Sequence, residues 1–148
     1  MIIISEEIKN FVNSQKLGYV ATVSKDGTAN LSPKGTIIIM NESTMAFADI
    51  RSPQTIQNLQ DNTSVEINVV DPFQRLGYRF KGDGRIINEG SEFDKILDYY
   101  SNIGIKSKIN SVVVVDVKSM SEVTSPSYDL GVTKDELVSK WKKYYNQD

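Results

Sequence analysis

The feature that most constrains this chain is the rhythm of its apolar residues, which come in short alternating runs, each stopped by a turn. Leu17, Tyr19, Ala21 and Val23 alternate with Gly18, Val20, Thr22 and Ser24, the pattern of a half-buried strand. Lys25-Asp26-Gly27 follows as a tight turn whose glycine is free to take positive φ, and Thr28–Leu31 returns. Further runs lie at Thr36–Met40, Met45–Asp49, Val65–Val69, Tyr78–Ile87 and Val112–Val117, the last the most hydrophobic and expected in the sheet interior. Strands this short with turns this close predict an antiparallel sheet, sandwich or barrel.

Four helical segments interrupt the strands. Ser5 is a good N-cap for a helix with Glu6 and Glu7 in its first turn and Ile8, Phe11 and Val12 at helical spacing, ending near Lys16 with Gly18 beyond. Ser52-Pro53 predicts an N-cap and first position for a helix over Pro53–Gln60. Phe93, Ile96, Leu97 and Tyr100 mark a third helix, capped by Ser91. Thr133-Lys134-Asp135-Glu136 reads as a capping box opening a last one, with Leu137, Val138, Trp141 and Tyr145 along one side. No repeat, low-complexity tract or linker divides the 148 residues, so residues 1–148 are expected to form one α+β domain dominated by strands.

Composition excludes more chemistry than it suggests. There is no cysteine and no histidine. That removes disulfides, thiolate nucleophiles, Ser-His-Asp triads, nearly all transition-metal sites and the usual axial ligand of haem. No D-x-D-x-D-G loop, GxGxxG or GxxxxGK[ST] occurs, and no pair of carboxylates stands out as acid and base, so neither metal nor catalytic residues are assigned. An enzyme built this way needs an organic cofactor for its reactive atoms. A net charge of −2 disfavours nucleic acid, and no apolar run is long enough to span a bilayer or make a signal peptide. A cytoplasmic protein is the expectation.

One stretch breaks the local rules. The returning strand runs into Ser32-Pro33-Lys34-Gly35, and proline cannot donate to a ladder, so the strand is expected to leave its neighbour there. Farther on, Ala48-Asp49-Ile50-Arg51-Ser52 leads a strand end into a helix start. Free amides and a helix dipole make such a start an anion site, with Ser52 and Thr55 as hydroxyl donors and Lys34 or Arg51 as the cation. The bland alternative is a routine cap. Arg79, Lys81 and Arg85 share one strand face with Asp83, while Gly82 and Gly84 on the other face suggest a bulge or a close backbone contact. Tyr128, in the loop after Pro126, suits contact with a planar ligand or an interface.

In order and spacing, GYVATVSKDGTANLSPKG, MAFADIRSPQTIQNLQDNTSVEINV, FKGDGRII and VVVVDVKSM resemble the pyridoxamine 5′-phosphate oxidase-like family of flavin-binding split barrels, over about residues 5–90 and again at the last of these strands. The resemblance implies a six-stranded antiparallel split β-barrel of Greek-key topology with peripheral helices, forming a homodimer with FMN between the two chains. Carried over by position, Asn30, Ser32, Pro33, Lys34 and Gly35 line one side of the cofactor. Ala48, Asp49 and Ile50 contact the ring through their backbone. Ser52, Gln54 and Thr55 hold the phosphate, Arg51 or Lys34 compensates for the missing cation, Asn58 ends the segment that wraps the cofactor, and residues near Tyr78 and Arg79, with Tyr128, come from the neighbouring subunit. The family often has a basic residue at the position of Gln54, and its true oxidases carry basic and histidine residues near the C-terminus that are missing here, so oxidation of pyridoxamine phosphate is not expected. The function implied is an FMN-dependent oxidoreductase acting on a small molecule. A non-catalytic flavin-binding or redox-sensing module and a deazaflavin-dependent reductase are the alternatives.

Overall fold

The structure, a computed structural model, describes residues 2–146. In chain order its elements are α1 (Glu6–Gln15), β1 (Gly18–Val23), β2 (Ala29–Lys34), β3 (Ile38–Ile39), β4 (Thr44–Asp49), α2 (Pro53–Asp61), β5 (Ser64–Asp71), β6 (Leu76–Ile87), α3 (Ser91–Asn102), β7 (Ser111–Thr124), a short 3-10 helix (Pro126–Leu130) and α4 (Lys134–Tyr144). The strands form one antiparallel sheet in the order β2-β1-β5-β6-β7-β4-β3.

The sheet curls on itself. Val20 of β1 and Val65, Ile67 and Val69 of β5 share a core with Ile39 of β3 and Met45 and Phe47 of β4, although these strands stand near opposite margins of the sheet. The margins meet at Gly18, where a Cβ would come within 2.6 Å of Ile37 Cδ1. Val12 of α1 and Leu59 of α2 add to this inner core. A second cluster lies outside, where Phe93, Ile96 and Tyr100 of α3 cover Ile38, Ala46, Ala48, Val112 and Val114. This explains the unbroken valines of β7. Val113, Val115 and Val117 point inward and Val112 and Val114 lie beneath α3, so both faces are apolar until Asp116.

The outer face of β2, β1, β5 and β6 carries Leu31, Tyr19, Ala21, Glu66, Asn68 and Arg79, which line a concavity of about 390 Å³. Leu31 is 68% and Tyr19 45% exposed.

The split barrel is as expected, with seven strands rather than six. The addition is β3, two residues long, inside the Thr36–Met40 run that the sequence marks as a strand. Its free edge is blunted by Asn13, whose amide accepts from Ile39 N at 2.7 Å and donates to Ile39 O at 3.2 Å, taking the place of another strand's backbone. The caps at Ser5 and Thr133 hold, each accepting the amide three residues on. Three local expectations are corrected. Gly18 does not close α1, because Lys16 takes the left-handed cap position (φ 61°) and Gly18 is a strand residue kept small by Ile37 and Val69. Ser91 is the first helical residue of α3, whose N-cap is Gly90, with φ 98°. β2 does not leave the ladder at proline, since Pro33 pairs with Tyr19 and Lys34 with Gly18; on an edge strand the missing donor is tolerated.

β6 and β7 shift register between Lys81 and Gly82, and a Cβ on Gly82 would lie 2.2 Å from Asp116 O, so the glycine does mark both a bulge and a close backbone contact. The basic face is divided. Arg79 and Lys81 approach Glu66 at 3.3 and 3.9 Å, whereas Arg85 makes a two-pronged bond to Glu92 on α3 at 2.7 and 2.8 Å.

Candidate functional site

Cross-strand pairing of Gly18 with Lys34, Val20 with Ser32 and Thr22 with Asn30 puts Asn30, Ser32 and Lys34 on one face of β2, because side chains alternate along a strand. Leu31 and Pro33 lie on the opposite, exposed face, across from Ala21 and Tyr19. The run Asn30–Lys34 therefore offers an amide, a hydroxyl and an ammonium at every second position. Gly35 lies just past the strand and is exposed.

Lys34 is the centre of the cluster. It is 8% exposed, and its Nζ donates to Ser32 Oγ at 3.1 Å and to Ser52 Oγ. Burial pushes its pKa below the ordinary lysine value, and the Asp49 carboxylate partly opposes that shift. Asp49 is itself buried and fixed on both oxygens: Oδ1 accepts from Ser52 N and Oδ2 from Ser111 Oγ, each at 3.2 Å. The start of β7 straps the same turn, Asn110 donating from its backbone to Asp49 O at 2.9 Å and from its side chain to Ile50 O at 3.3 Å.

Here the expected helix cap fails in an informative way. Ser52 precedes α2, but its hydroxyl makes no capping bond; it accepts from Lys34 instead. Pro53 has no amide, and the amides of Gln54 and Thr55 precede the first intrahelical bond, Ile56 N to Ser52 O at 3.1 Å. The positive end of α2, a buried ammonium and two serine hydroxyls thus converge. Such a donor set suits a phosphate monoester, since every group in it is a hydrogen-bond donor or can act as one. Arg51, exposed beside it, is a second cation within the same turn.

Gln54 and Asn58 form a polar ladder behind the helix start. Gln54 Nε2 donates to Asn58 Oδ1 at 2.7 Å, and Asn58 Nδ2 donates to Thr22 Oγ1 at 3.0 Å. Asn58 and Thr22 are both buried, so this ladder pins α2 to β1. Thr55 is buried and Ile50 half-buried. Ala48 lies under α3, and its amide donates to Thr36 Oγ1 at 2.9 Å. Tyr128 stands outside this network: its hydroxyl donates to Gln74 O at 2.5 Å and ties the 3-10 helix to the β5–β6 turn.

Four supporting residues escaped the sequence reading: Thr22, Thr36, Asn110 and Ser111. Ser111 had a weak signal, a hydroxyl placed directly before four buried valines. The others contribute through contacts 12 to 60 residues apart in the chain, which no local pattern encodes. Among the described residues no cluster of three or more His, Cys, Asp or Glu could hold a metal ion, and no helix is long and apolar enough to cross a membrane.

Comparison with known proteins gives a consistent picture. A family model described as pyridoxamine 5′-phosphate oxidase matches residues 4–123. Among solved structures, Group A Streptococcus HupZ is similar at 29% identity and a TM-score of 0.75, over 83% of this chain and 96% of that one. An FMN-binding protein from Syntrophomonas wolfei is similar at 17% identity and a TM-score of 0.71, over 81% and 86%. A pyridoxinephosphate oxidase family protein from Clostridium acetobutylicum follows at 15% identity and a TM-score of 0.62, over 82% and 91%. No curated protein matches.

Proposed function

The chain belongs to the pyridoxamine 5′-phosphate oxidase family, and from that premise we propose that it binds FMN and serves as an FMN-dependent oxidoreductase for a small molecule. The observation that carries the reading is the diverted cap: Ser52 gives its hydroxyl to buried Lys34 and leaves the first amides of α2 open toward an anion. The FMN-binding protein among the fold neighbours adds support.

In this reading Lys34, Ser32, Ser52 and the amides of Gln54 and Thr55 hold the phosphate, with Arg51 at the rim. Asp49 positions them, fixing the Ser52 amide and partly opposing the burial that lowers the lysine pKa. Asn30 and the Gln54–Asn58 pair face the remainder of the cofactor. Gln54 supplies hydrogen bonds where many relatives supply charge, so the phosphate leans more heavily on Lys34. Bound FMN contributes hydride transfer at its N5. The protein's part is to orient the ring and exclude water, and no side chain is assigned as acid or base.

The same reading gives the protein a homodimeric form. The half of the barrel formed by β3, β4 and β7 has α3 as its outer layer, while the face of β2, β1, β5 and β6 has none among the described residues and exposes Leu31 and Tyr19. Arg79 and Glu66 lie on the same face and pair with each other there. Arg79, and Tyr128 at the nearby end of the β5–β6 hairpin, are the residues one protomer would offer to its partner's cofactor.

The test is the visible spectrum of the purified protein, with chromatography of whatever it releases. A yellow protein releasing FMN, or an apoprotein that takes up FMN at micromolar concentration, supports the reading. A colourless preparation that takes up none overturns it. Preference for a deazaflavin in competition would move the cofactor but keep the enzyme class. Bound FMN without turnover by NAD(P)H and general acceptors would make the protein a binding or sensing module.

A further inference from the structure

Resting on the reading of the Lys34–Ser52 cluster as the cradle of FMN, we propose that this cradle selects the singly protonated form of the phosphate, so that the flavin is held in mild acid and exchanged as pH rises through neutrality. The argument begins with charge. The cluster buries one cation and one anion, Lys34 at 8% and Asp49 at 9% exposure, and the carboxylate partly offsets the burial of the ammonium. The two formal charges cancel. Asp49 is held in place by Ser52 N and Ser111 Oγ, so its charge stays beside the site when a ligand arrives. What attracts an anion is then mainly a set of neutral donors. The hydroxyls of Ser32 and Ser52 each accept from Lys34 and keep their own protons for a ligand. The first amides of α2 add the helix dipole, equivalent to about half an elementary charge.

The neighbouring side chains do not restore the balance. Arg51 is exposed, and solvent screens it. Lys25 and Asp26 line one hollow with Asn30 and Gln54 and offset each other. Gln54 is neutral, and its orientation is set from the core. Asn58 Nδ2 donates to buried Thr22 Oγ1, which turns Asn58 Oδ1 toward Gln54 Nε2 and leaves Gln54 Oε1 as a free acceptor among the described residues. A phosphate monoester loses its second proton at about pH 6. Its dianion would bring two negative charges to a cradle whose buried charges sum to zero. Its monoanion brings one, and keeps a proton that Gln54 Oε1 can accept. The chain itself adds little to any titration in this range. It has no histidine, the side chain whose ordinary pKa falls between about pH 5 and 8.

The test combines fluorescence-quenching titration of the full chain with FMN and riboflavin and phosphorus NMR of bound FMN, from about pH 5.5 to 8. The Kd for FMN should rise about tenfold or more between roughly pH 5.5 and 7.5, while that for riboflavin, which has no phosphate, stays level. The phosphorus signal of bound FMN should titrate at higher pH than that of free FMN. Gln54→Lys, at an exposed position, adds the cation that a dianion needs. It should flatten the pH dependence and keep the bound phosphate doubly charged. Asn at position 49 removes the offsetting carboxylate and should act in the same direction, and the Gln54 variant carries the test if Asp49→Asn fails to fold. An FMN affinity that is level or tightens with pH, riboflavin following FMN, a bound phosphate that stays doubly charged in the wild type, or an unchanged pH dependence in Gln54→Lys would each overturn this inference and leave the flavin reading standing. Failure to take up FMN at any pH would overturn both.

Discussion

Replacing Lys34 with methionine separates cofactor binding from folding, because the two should move in opposite directions. The ammonium is buried, and its pKa in the folded protein lies below the ordinary lysine value of 10.5. The unfolded chain therefore holds that proton more tightly than the folded one. The charged lysine costs the folded state its full penalty at neutral pH, and the penalty fades as pH rises from the folded pKa through 10.5. Methionine keeps most of the side-chain length and carries no charge, so the apoprotein's urea midpoint at pH 7 should hold or rise. The alkaline gain in stability should flatten. Binding should suffer instead. Losing one charge-assisted hydrogen bond to a phosphate is worth about 1.5–3 kcal/mol, or roughly tenfold to 150-fold in the Kd for FMN. Riboflavin, which has no phosphate, should keep its affinity, so parallel quenching titrations with the two flavins isolate the contact. In the wild type, FMN binding should also weaken with rising pH before an ordinary lysine would deprotonate. A variant that binds FMN like the wild type but unfolds earlier would refute the reasoning: Lys34 would then be only the counter-charge of Asp49.

Other perturbations follow from the packing. A Cβ on Gly77 would lie 2.0 Å from Val69 O and 2.7 Å from Val70 Cα, so Gly77→Ala must push β5 and β6 apart and should cost more than about 3 kcal/mol in urea unfolding, or prevent folding. Asn58→Leu strands buried Thr22 Oγ1 and the Gln54 amide, and thermal denaturation should show a loss of about 1–3 kcal/mol. Leu31→Glu should shift sedimentation toward monomer while leaving far-UV dichroism unchanged, since Leu31 packs against little within one chain. The single tryptophan reports on the C-terminal helix: Arg75 stacks 3.6 Å from the Trp141 ring centroid, so Arg75→Met should red-shift its emission as α4 loosens.

The parts of the fold readable in the sequence are those set by neighbouring residues. The Lys25-Asp26-Gly27 turn forms as read, Asp26 accepting both the amide and the hydroxyl of Thr28 while Gly27 takes φ 86°. The alternation of β1 and β5 and the bulge at Gly82 are equally local. What eluded the sequence depends on distant partners. Ser52 looks like any cap, and only the curl of β2 beneath it brings Lys34 to its hydroxyl. Tyr128 looks free in its loop, yet the carbonyl of Gln74, 54 residues earlier in the chain, accepts a hydrogen bond from its hydroxyl. β7 runs to Thr124, well past its last core valine, because β6 is long enough to pair with it. The site was legible as a set of residue types near one helix start. Its wiring, through Asn110, Ser111 and Thr36, was not.

The Asn13 amide on the edge of β3 also bears on how the chain survives its own synthesis. A nascent protein emerges N-terminus first, so the guard at position 13 is made before Ile39, the edge it guards. When β3 forms, its exposed backbone can be claimed at once by a side chain of the same molecule. At the opposite margin Pro33 removes a donor from β2. Crowded polysomes, where identical strands emerge side by side, offer the greatest chance for one unfinished copy to template another. With both margins blunted, this chain offers little purchase to cross-β recruitment before it has folded.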